Sequence, residues 1–429
     1  MAVSLRSWLQ PIAIRATLAW EWWQSGVTYY PLAPRVYRNP YPTYAKLRLR
    51  DPVHWNILGQ SWVIARYRDA DAILRDHTRF SNDARHRRGL GEVPTSAASP
   101  RSPSILFLDP PDHSRLRALV QQAFTPRAID ALARRIRQIA EHLLDQLADP
   151  TAFEVMETLA RPLPMIVMAE LLGVPTGDRT QFQRWSRQRA RVLEPTMTAR
   201  ERQEAAQAAD ALDAYFLGLI EQRRAEPRDD LISALVAAEA AGDQLTQDEL
   251  VVMLRLLLVA GNETTTNLIG NGLLALLRHP DQMRLLRSAP GLVVGAVEEL
   301  LRYDAPVQVD GRTALEEVEI GGRHVRKGQG IVLLIGSANR DPEVFSHPDR
   351  LDITRHGPRH LGFGRGIHHC LGAPMARLEA RIVFETLLER FTEMHLLVED
   401  PPFRDNVVLR GLATLPIGVS MPRTKRRAS

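Results

Sequence analysis

The 429-residue chain is 45% hydrophobic and 24% charged, the composition of an ordinary globular protein that can bury a large core. Its single cysteine excludes an internal disulfide and a zinc site made of cysteines alone, and it favours a cytoplasmic location. The net charge is +5, but most arginines are interspersed with acidic residues along amphipathic stretches, so we expect no nucleic-acid binding.

The first predicted element is a tryptophan-rich N-terminal segment, residues 1–39. It contains four of the seven tryptophans, Trp8, Trp20, Trp22 and Trp23. Charged residues interrupt it, so no apolar run reaches the roughly 20 residues that span a bilayer. We expect a helix packed on the body of the protein. Contact with a membrane surface is possible but is the less favoured interpretation.

Residues 40–421 are predicted to form a single domain, mainly α with small peripheral β-sheets. Helix signals dominate from about residue 110 to 305. Strand signals are short: a hairpin in PVHWNILGQSWVIARY, a second with a Gly-Gly turn in EEVEIGGRHVRKGQGIVLLI, and a last β element in LRGLATLPIGVS. Residues 422–429 are predicted to be a solvated basic tail.

One predicted helix is unusually long and apolar. Thr246 followed by Glu249 is a capping box, and no helix breaker follows before Pro280, so the helix could extend over about 33 residues. Its centre, AGNETTTN, contains a glycine and three threonines, which are poor helix formers. A buried helix that is weakened at its centre is expected to make room for a ligand.

The segment FGRGIHHCLG, residues 363–372, surrounds Cys370 with glycines and histidines. A thiolate ligand needs donors that offset its charge, and the helix predicted just after Cys370 offers its N-terminal N–H groups. Gly366 permits the turn that directs N–H groups at the sulfur, and Gly372 has no side chain to block a flat ligand. Cys370 is therefore a candidate metal ligand, although a lone cysteine is usually an inert hydrophobe.

This loop resembles the cysteine loop of the cytochrome P450 superfamily, in the form typical of soluble bacterial members. Three further segments, DPPDHSRLRALV, AGNETT and EELLR, resemble the same superfamily in the expected order, and PDRL is a looser match. The resemblance extends from about residue 40 to the end of the chain. It implies the cytochrome P450 fold.

The resemblance also implies the cofactor. Cys370 would be the axial thiolate ligand of haem b, because the chain has no C-x-x-C-H motif that would attach the haem covalently. Propionate contacts would come from His113, Arg117, Arg312 and His368, and the remaining cofactor-binding positions would be Ala260, Gly261, Phe363, Gly366 and Gly372.

Glu263 and Thr264 would be the catalytic acid and alcohol pair that delivers protons during oxygen activation. Glu299 and Arg302 would form a buried ion pair with Arg350 as its third member, a structural cluster that holds the cysteine loop. Judged by spacing alone, Glu299 and Arg302 are better explained as a surface pair.

The family's substrate-contacting regions correspond to residues 82–106, 306–309 and 411–415. We expect an apolar pocket lined by Val259, Val307, Val309 and Leu412, with Gln308 as its polar group.

The resemblance therefore implies a monooxygenase that inserts one oxygen atom from O2 into an apolar organic substrate. No cysteine remains for an iron–sulfur cluster and no G-x-G-x-x-G motif is present, so electrons are expected from a separate ferredoxin and ferredoxin reductase, or from a flavodoxin. Two alternatives are a peroxide-driven peroxygenase and a non-catalytic haem carrier or gas sensor. The pair Glu263 and Thr264 argues against both.

Overall fold

The computed structural model describes residues 5–88, 103–121, 124–191, 197–240 and 245–421. Helices form most of this part of the chain. In chain order they are α1 (Leu5–Ser25), α2 (Pro34–Arg38), α3 (Tyr41–Arg50), α4 (Tyr67–Arg75), α5 (Asp112–Gln121), α6 (Pro126–Ala131), α7 (Ala133–Asp145), α8 (Pro162–Leu171), α9 (Arg179–Ala190), α10 (Ala199–Ala225), α11 (Leu231–Ala240), α12 (Gln247–Arg278), α13 (Pro280–Ser288), α14 (Val293–Tyr303), α15 (Ile335–Ala338) and α16 (Ala373–Arg390).

The strands are short and form small sheets. They are β1 (Val53–Asn56), β2 (Ser61–Ile64), β3 (Phe80–Ser81), β4 (Ala152–Glu154), β5 (Val309–Ala314), β6 (Val318–Ile320), β7 (Arg323–Val325), β8 (Gly330–Leu334), β9 (Glu393–Leu396) and β10 (Pro416–Ser420). The described strands form one sheet in the order β1-β2-β8-β5-β3, another in the order β4-β10-β9, and the two-stranded sheet β6-β7. The expected mainly α architecture with small sheets is confirmed.

Both predicted hairpins form. Strands β1 and β2 pair antiparallel, with Trp55 opposite Trp62. Strands β6 and β7 pair across Gly321 and Gly322, which both have positive φ, the backbone conformation that glycine adopts without strain. The apolar run after this hairpin forms β8, which pairs parallel with β2 and antiparallel with β5, so it joins sequence-distant parts of the chain.

Helix α12 runs through the largest hydrophobic cluster and packs against α8, α10, α14 and α16. It begins with the predicted capping box: the Thr246 hydroxyl accepts a hydrogen bond from the Glu249 N–H, and the Glu249 carboxylate accepts one from the Thr246 N–H. It spans 32 residues, or about 48 Å at 1.5 Å per residue. The expected weakening at AGNETTTN does not interrupt it, since residues 247–278 are helical throughout.

The N-terminal segment packs on the body of the protein. Val27, Tyr29 and Val36 share a hydrophobic cluster with Val63 of β2 and Leu334 of β8. Within the described residues, none of the helices combines the length and apolar character needed to cross a bilayer. The predicted basic tail, residues 422–429, lies outside the described residues.

Candidate active site

The loop before α16 presents Cys370 at the start of a helix, as the sequence predicts. Its backbone N–H donates to the Phe363 carbonyl at 2.9 Å, which closes the loop. Backbone N–H groups of Gly372 and Ala373 donate toward the sulfur. Burial raises the pKa of the Cys370 thiol, and these N–H groups together with Arg117 act in the opposite direction. As a whole residue, Cys370 is nevertheless exposed.

Two glycines shape this loop. Gly366 has φ +66°, and a Cβ there would lie 2.4 Å from the Leu74 carbonyl oxygen, so a side chain is excluded both by backbone conformation and by the close approach of α4. A Cβ at Gly372 would meet no atom within 4 Å. Open space therefore lies next to Gly372, which leaves room for the flat ligand that the sequence predicts.

A cluster of polar side chains, His113, His368 and Arg312, lies beside the loop. The rings of His113 and His368 are 4.2 Å apart between centroids, and Arg312 is near enough to disfavour protonation of His368. Burial, followed by the neighbouring His113 and Arg312, lowers the pKa of His368 to about 3. One nitrogen on each has no hydrogen-bond partner among the described residues: His113 Nδ1, His368 Nε2 and Arg312 Nη2. Unpaired nitrogens that are grouped in this way suit an anionic ligand.

Arg117, predicted to contact the same anion, is placed differently. Its Nη2 donates to the His369 carbonyl at 2.8 Å, so at least one of its nitrogens is committed to holding the cysteine loop. Phe363 is also part of this support, because its ring lies under the guanidinium of Arg377 at 4.5 Å. The structure thus assigns both side chains to contacts within the loop region.

The centre of α12 has one accessible face. Ala260 is exposed and Thr264 is partly exposed, although the helix on either side of them is almost wholly buried. The Thr264 hydroxyl donates to the Ala260 carbonyl at 2.7 Å, within the helix. A Cβ at Gly261 would lie 2.3 Å from Met168, so this glycine also serves the close packing of α8 against α12.

Glu263 is buried and forms an ion pair with Arg404, a residue that the sequence analysis did not identify. Arg404 also donates to Asn267 Oδ1 at 3.0 Å. One turn further on, Asn271 donates to the Arg410 carbonyl at 3.0 Å. The polar residues 263, 267 and 271 recur every four positions on an apolar helix, a pattern that could have indicated this polar contact with the segment near residue 404.

The predicted ion-pair cluster is present with a different third member. Arg302 binds both carboxylate oxygens of Glu299, at 2.7 and 2.8 Å. The second arginine on Glu299 is Arg355, at 3.1 and 3.2 Å. Arg350 is exposed and contributes only its backbone carbonyl, to Arg302 and Arg355. The assignment of Arg350 was therefore wrong, because the chain bends and brings the arginine five residues later onto the carboxylate.

The predicted substrate pocket does not assemble as expected. Gln308 is buried away from it and donates to the Ala305 carbonyl at 2.8 Å, so it is not a polar group for a ligand. Val309 packs against the cluster formed by the N-terminal segment, and Leu412 is fully buried in the main core. Val259 and Val307 remain partly exposed. Most of the predicted loop at 82–106 lies outside the described residues.

A family model described as Cytochrome P450 matches residues 53–420. The chain belongs to the cytochrome P450 family. Helix α1 and the N-terminal segment precede the residues that this model matches.

Relatives and solved structures agree with this membership. The polyketide biosynthesis cytochrome P450 PksS of Bacillus subtilis is 42% identical over 405 residues, 91% of this chain and 98% of PksS. Vitamin D(3) 25-hydroxylase of Pseudonocardia autotrophica is 42% identical over 89% of this chain and 94% of its own. The structure of PksS matches with a TM-score of 0.84 and 42% identity, covering 92% of this chain and all of PksS.

The protein is therefore a cytochrome P450 monooxygenase with the P450 fold, and it uses haem, O2 and electrons from redox partners. The residues present fit a haem group. An exposed cysteine lies at a helix N-terminus, a Cβ at Gly372 would meet no atom within 4 Å, and His113, His368 and Arg312 offer unpaired nitrogens to an anion such as a propionate.

Proposed function

We propose that this cytochrome P450 inserts one oxygen atom from O2 into an apolar organic substrate, at a haem b ligated by Cys370. The observation that carries the proposal is the lone cysteine at a helix N-terminus beside a polar cluster in which His113 Nδ1, His368 Nε2 and Arg312 Nη2 have no hydrogen-bond partner among the described residues. The b-type assignment is supported by the sequence, since a chain with one cysteine cannot form two thioether bonds to haem.

Haem, when bound, would supply the iron at which O2 is activated, and a thiolate ligand favours cleavage of the O–O bond. Cys370 would hold the iron through its sulfur. His113, His368 and Arg312 would bind the propionates, since charge-assisted hydrogen bonds are the natural partners of buried carboxylates. Arg117 would hold the loop in shape through the His369 carbonyl.

Glu263 and Thr264 would deliver protons to the reaction site. The Thr264 hydroxyl uses its hydrogen on the Ala260 carbonyl, which leaves its oxygen lone pairs free to accept a hydrogen bond from water. Glu263 is one residue away, and its carboxylate is held by Arg404, whose side chain is 26% exposed. We infer that a proton travels from solvent past Arg404 to Glu263 and then, through water, to Thr264.

The proposed substrate is apolar because the accessible face of α12 offers Val259, Ala260 and the Thr264 methyl, and Val307 adds a further apolar side chain. The names of two relatives support an apolar substrate. One is a vitamin D(3) 25-hydroxylase, and another, from Saccharopolyspora erythraea, is a 6-deoxyerythronolide B hydroxylase. A bulky, mostly hydrocarbon substrate is the class that these observations favour.

A ferredoxin with its reductase, or a flavodoxin, is the redox partner we propose. Arg117, Arg359, Arg365 and Arg377 surround His369 and lower its pKa, after burial, so positive charge is concentrated beside the cysteine loop. Small electron carriers of opposite charge are steered to such a surface. The cytoplasmic location stays a prediction.

The test of the central assignment is spectroscopic. The reduced haem-loaded protein with carbon monoxide should show the red-shifted Soret band of a thiolate-ligated carbonyl, and Cys370→Ala should abolish it. His369→Ala is the matched control, because the variant retains the backbone carbonyl of residue 369 that accepts a hydrogen bond from Arg117. If the alanine variant at 370 kept the band, another residue would be the ligand.

The reaction class has its own test. A library of apolar compounds would be incubated with the protein, with ferredoxin, reductase and NAD(P)H in one arm and hydrogen peroxide alone in the other. We expect oxygenated product in the first arm. Product in the peroxide arm alone would identify a peroxygenase, and spectral binding without product in either arm would identify a carrier or sensor.

A further inference from the structure

The positive charge of the protein is concentrated at its N-terminus. The first 50 residues contain seven lysines and arginines and a single acidic residue, Glu21, whereas the rest of the chain carries a net charge of −1. Glu21 is 2% exposed, so its charge is hidden inside the protein. The surface formed by the first 50 residues is therefore basic, because the only acidic side chain in this segment is buried.

Glu21 fixes the orientation of α1. Its Oε1 accepts a hydrogen bond from the Ile57 N–H at 3.0 Å, and its Oε2 lies 3.7 Å from Nε2 of the buried His54. Ile14 and Leu18, which lie on the same helical face as Glu21, are partly buried. This face of α1 is attached to the turn after β1, and the opposite face points away from the protein.

That outer face exposes three tryptophans. Trp20, Trp22 and Trp23 are 49%, 61% and 77% exposed, and Trp23 lies roughly opposite Glu21 on the helix. Exposed large aromatic side chains of this kind mark an interaction surface, because an indole ring in water loses the favourable free energy of burying its large apolar area. The only charged residue on this face among residues 13–25 is Arg15, which is exposed.

The end of α3 extends the same surface. Arg50 donates to the Gly26 carbonyl at 2.9 Å, directly after the tryptophans. Leu49, its neighbour, is 80% exposed, and Lys46 on the same helix is exposed as well. We call the set Arg15, Trp20, Trp22, Trp23, Lys46, Leu49 and Arg50 the indole surface. It combines apolar side chains with cations and has no exposed acid.

We propose that the indole surface docks the protein on an anionic phospholipid bilayer, with α1 lying in the plane of the interface. Indole rings prefer the boundary between headgroups and acyl chains, and each cation near such a membrane adds attraction to the anionic lipid. An amphipathic helix with aromatic and basic residues on one side lies on a bilayer without spanning it.

Other occupants of this surface fit its composition less well. A second copy of the chain would bring the same positive charge against itself, which opposes association. A nucleic acid would use the cations but has no need of three adjacent indoles on the outside of a helix. Charge and aromatic content together favour lipid. The proposal does not depend on the reaction catalysed.

The experiment uses the haem-loaded full chain and vesicles of phosphatidylcholine, alone or mixed with phosphatidylglycerol. We expect co-sedimentation with the mixed vesicles only, a blue shift of tryptophan emission, and quenching by brominated lipid that reports indoles at headgroup depth. Raising the salt concentration should weaken binding.

Substitutions test whether the indole surface is responsible for binding to the vesicles. Trp20→Ser, Trp22→Ser and Trp23→Ser combined should weaken binding by roughly a hundredfold, given the area three indoles bury. Arg15→Gln with Lys46→Gln should weaken it about twentyfold, at roughly fivefold per cation. Leu397→Ser with Val398→Ser removes exposed apolar side chains elsewhere and should change nothing. The carbon monoxide spectrum of each variant checks that it is folded.

Three results would overturn the proposal. The first is that the unmodified chain does not bind the mixed vesicles. This result does not depend on whether any variant folds. The second is equal loss of binding in the Leu397 and Val398 control. The third is a lipid-free dimer, or a complex with duplex DNA, that the triple tryptophan variant abolishes, since the indole surface would then belong to that partner.

Discussion

Two clusters of charged and polar side chains differ in how fully their hydrogen-bonding groups are paired. Glu299 is bound by two arginines and by the Asp352 N–H, and Arg302 also donates to three backbone carbonyls. The cluster of His113, His368 and Arg312 has donors without acceptors. Burying a charge is unfavourable unless it is paired, so a satisfied cluster stabilises the fold and an unsatisfied one indicates a ligand.

The largest effect should come from breaking the satisfied cluster. Arg302→Leu leaves the Glu299 carboxylate buried with one arginine instead of two, and should lower the free energy of unfolding by about 3–5 kcal/mol. Denaturant titration followed by circular dichroism measures it. Arg350→Leu is the matched control and should change stability by less than about 0.5 kcal/mol. Equal losses in the two variants would contradict the role of Arg355 as the third member.

A second buried carboxylate, Glu379 on α16, sharpens the comparison because one of its oxygens has no hydrogen-bond partner among the described residues. It is 1% exposed, its Oε2 has no hydrogen bond to any described residue, and burial raises its pKa to about 8. The unfolded chain releases this proton near pH 4.5, whereas the folded protein retains it to about pH 8. The unfolded state therefore binds fewer protons in this window, and stability falls as the pH rises through it.

Glu379→Gln should remove that pH dependence. We expect the variant to be more stable than the parent by roughly 2–4 kcal/mol above pH 8 and nearly equal to it at about pH 5, as measured by denaturant titration at both values. Glu385→Gln, on the same helix but partly exposed and paired with Arg137, is the control and should show no such divergence. If the free energy of unfolding of the parent protein did not change between these pH values, Glu379 could not be a buried acid that stays protonated in the folded protein.

Removing a charge from the unsatisfied cluster should affect the cofactor and leave the fold intact. Arg312→Leu removes the donor that we propose for a haem propionate, and a charge-assisted hydrogen bond of about 1.5–3 kcal/mol corresponds to haem loss accelerated by ten- to a hundredfold. Transfer of haem to an excess of apomyoglobin measures the rate. The apoprotein should keep its fold, since the ion pair that is lost, from Arg312 to Asp310 at 3.0 Å, involves a partly exposed carboxylate and contributes little stability. If Arg312→Leu lost haem at the same rate as the parent, the haem propionates would not bind at Arg312.

The smallest effect on stability should come from the ion pair of Glu263 and Arg404, whose role we propose to be positional. Arg404→Gln should leave the carbon monoxide spectrum unchanged and lower the product formed per NAD(P)H by on the order of threefold to tenfold, because Glu263 is no longer held. Product, hydrogen peroxide and NAD(P)H are measured together. Arg278→Gln is the control, since Arg278 joins the same helix to the Asp400 side chain at the surface. If the parent, Arg404→Gln and Arg278→Gln formed the same amount of product per NAD(P)H, Arg404 would have no role in proton delivery.

Sequence alone determined the features that depend on neighbouring residues. The capping box of α12, the hairpin turn at Gly321 and Gly322, and the loop around Cys370 all involve groups within a few positions of one another, so their residue types are legible as local patterns. The same holds for Gly366, because a positive φ restricts one residue at a time.

Tertiary structure decided which charged side chains meet. Glu263 and Arg404 lie 141 positions apart, and Glu299 and Arg355 lie 56 apart, so no local spacing connects them. Gln308 turned away from the expected pocket because its backbone pairs with Val408 and its side chain with Ala305. Partners of this kind are set by how helices and loops pack around a shared core, and a buried charge takes whichever counter-charge that packing brings within reach.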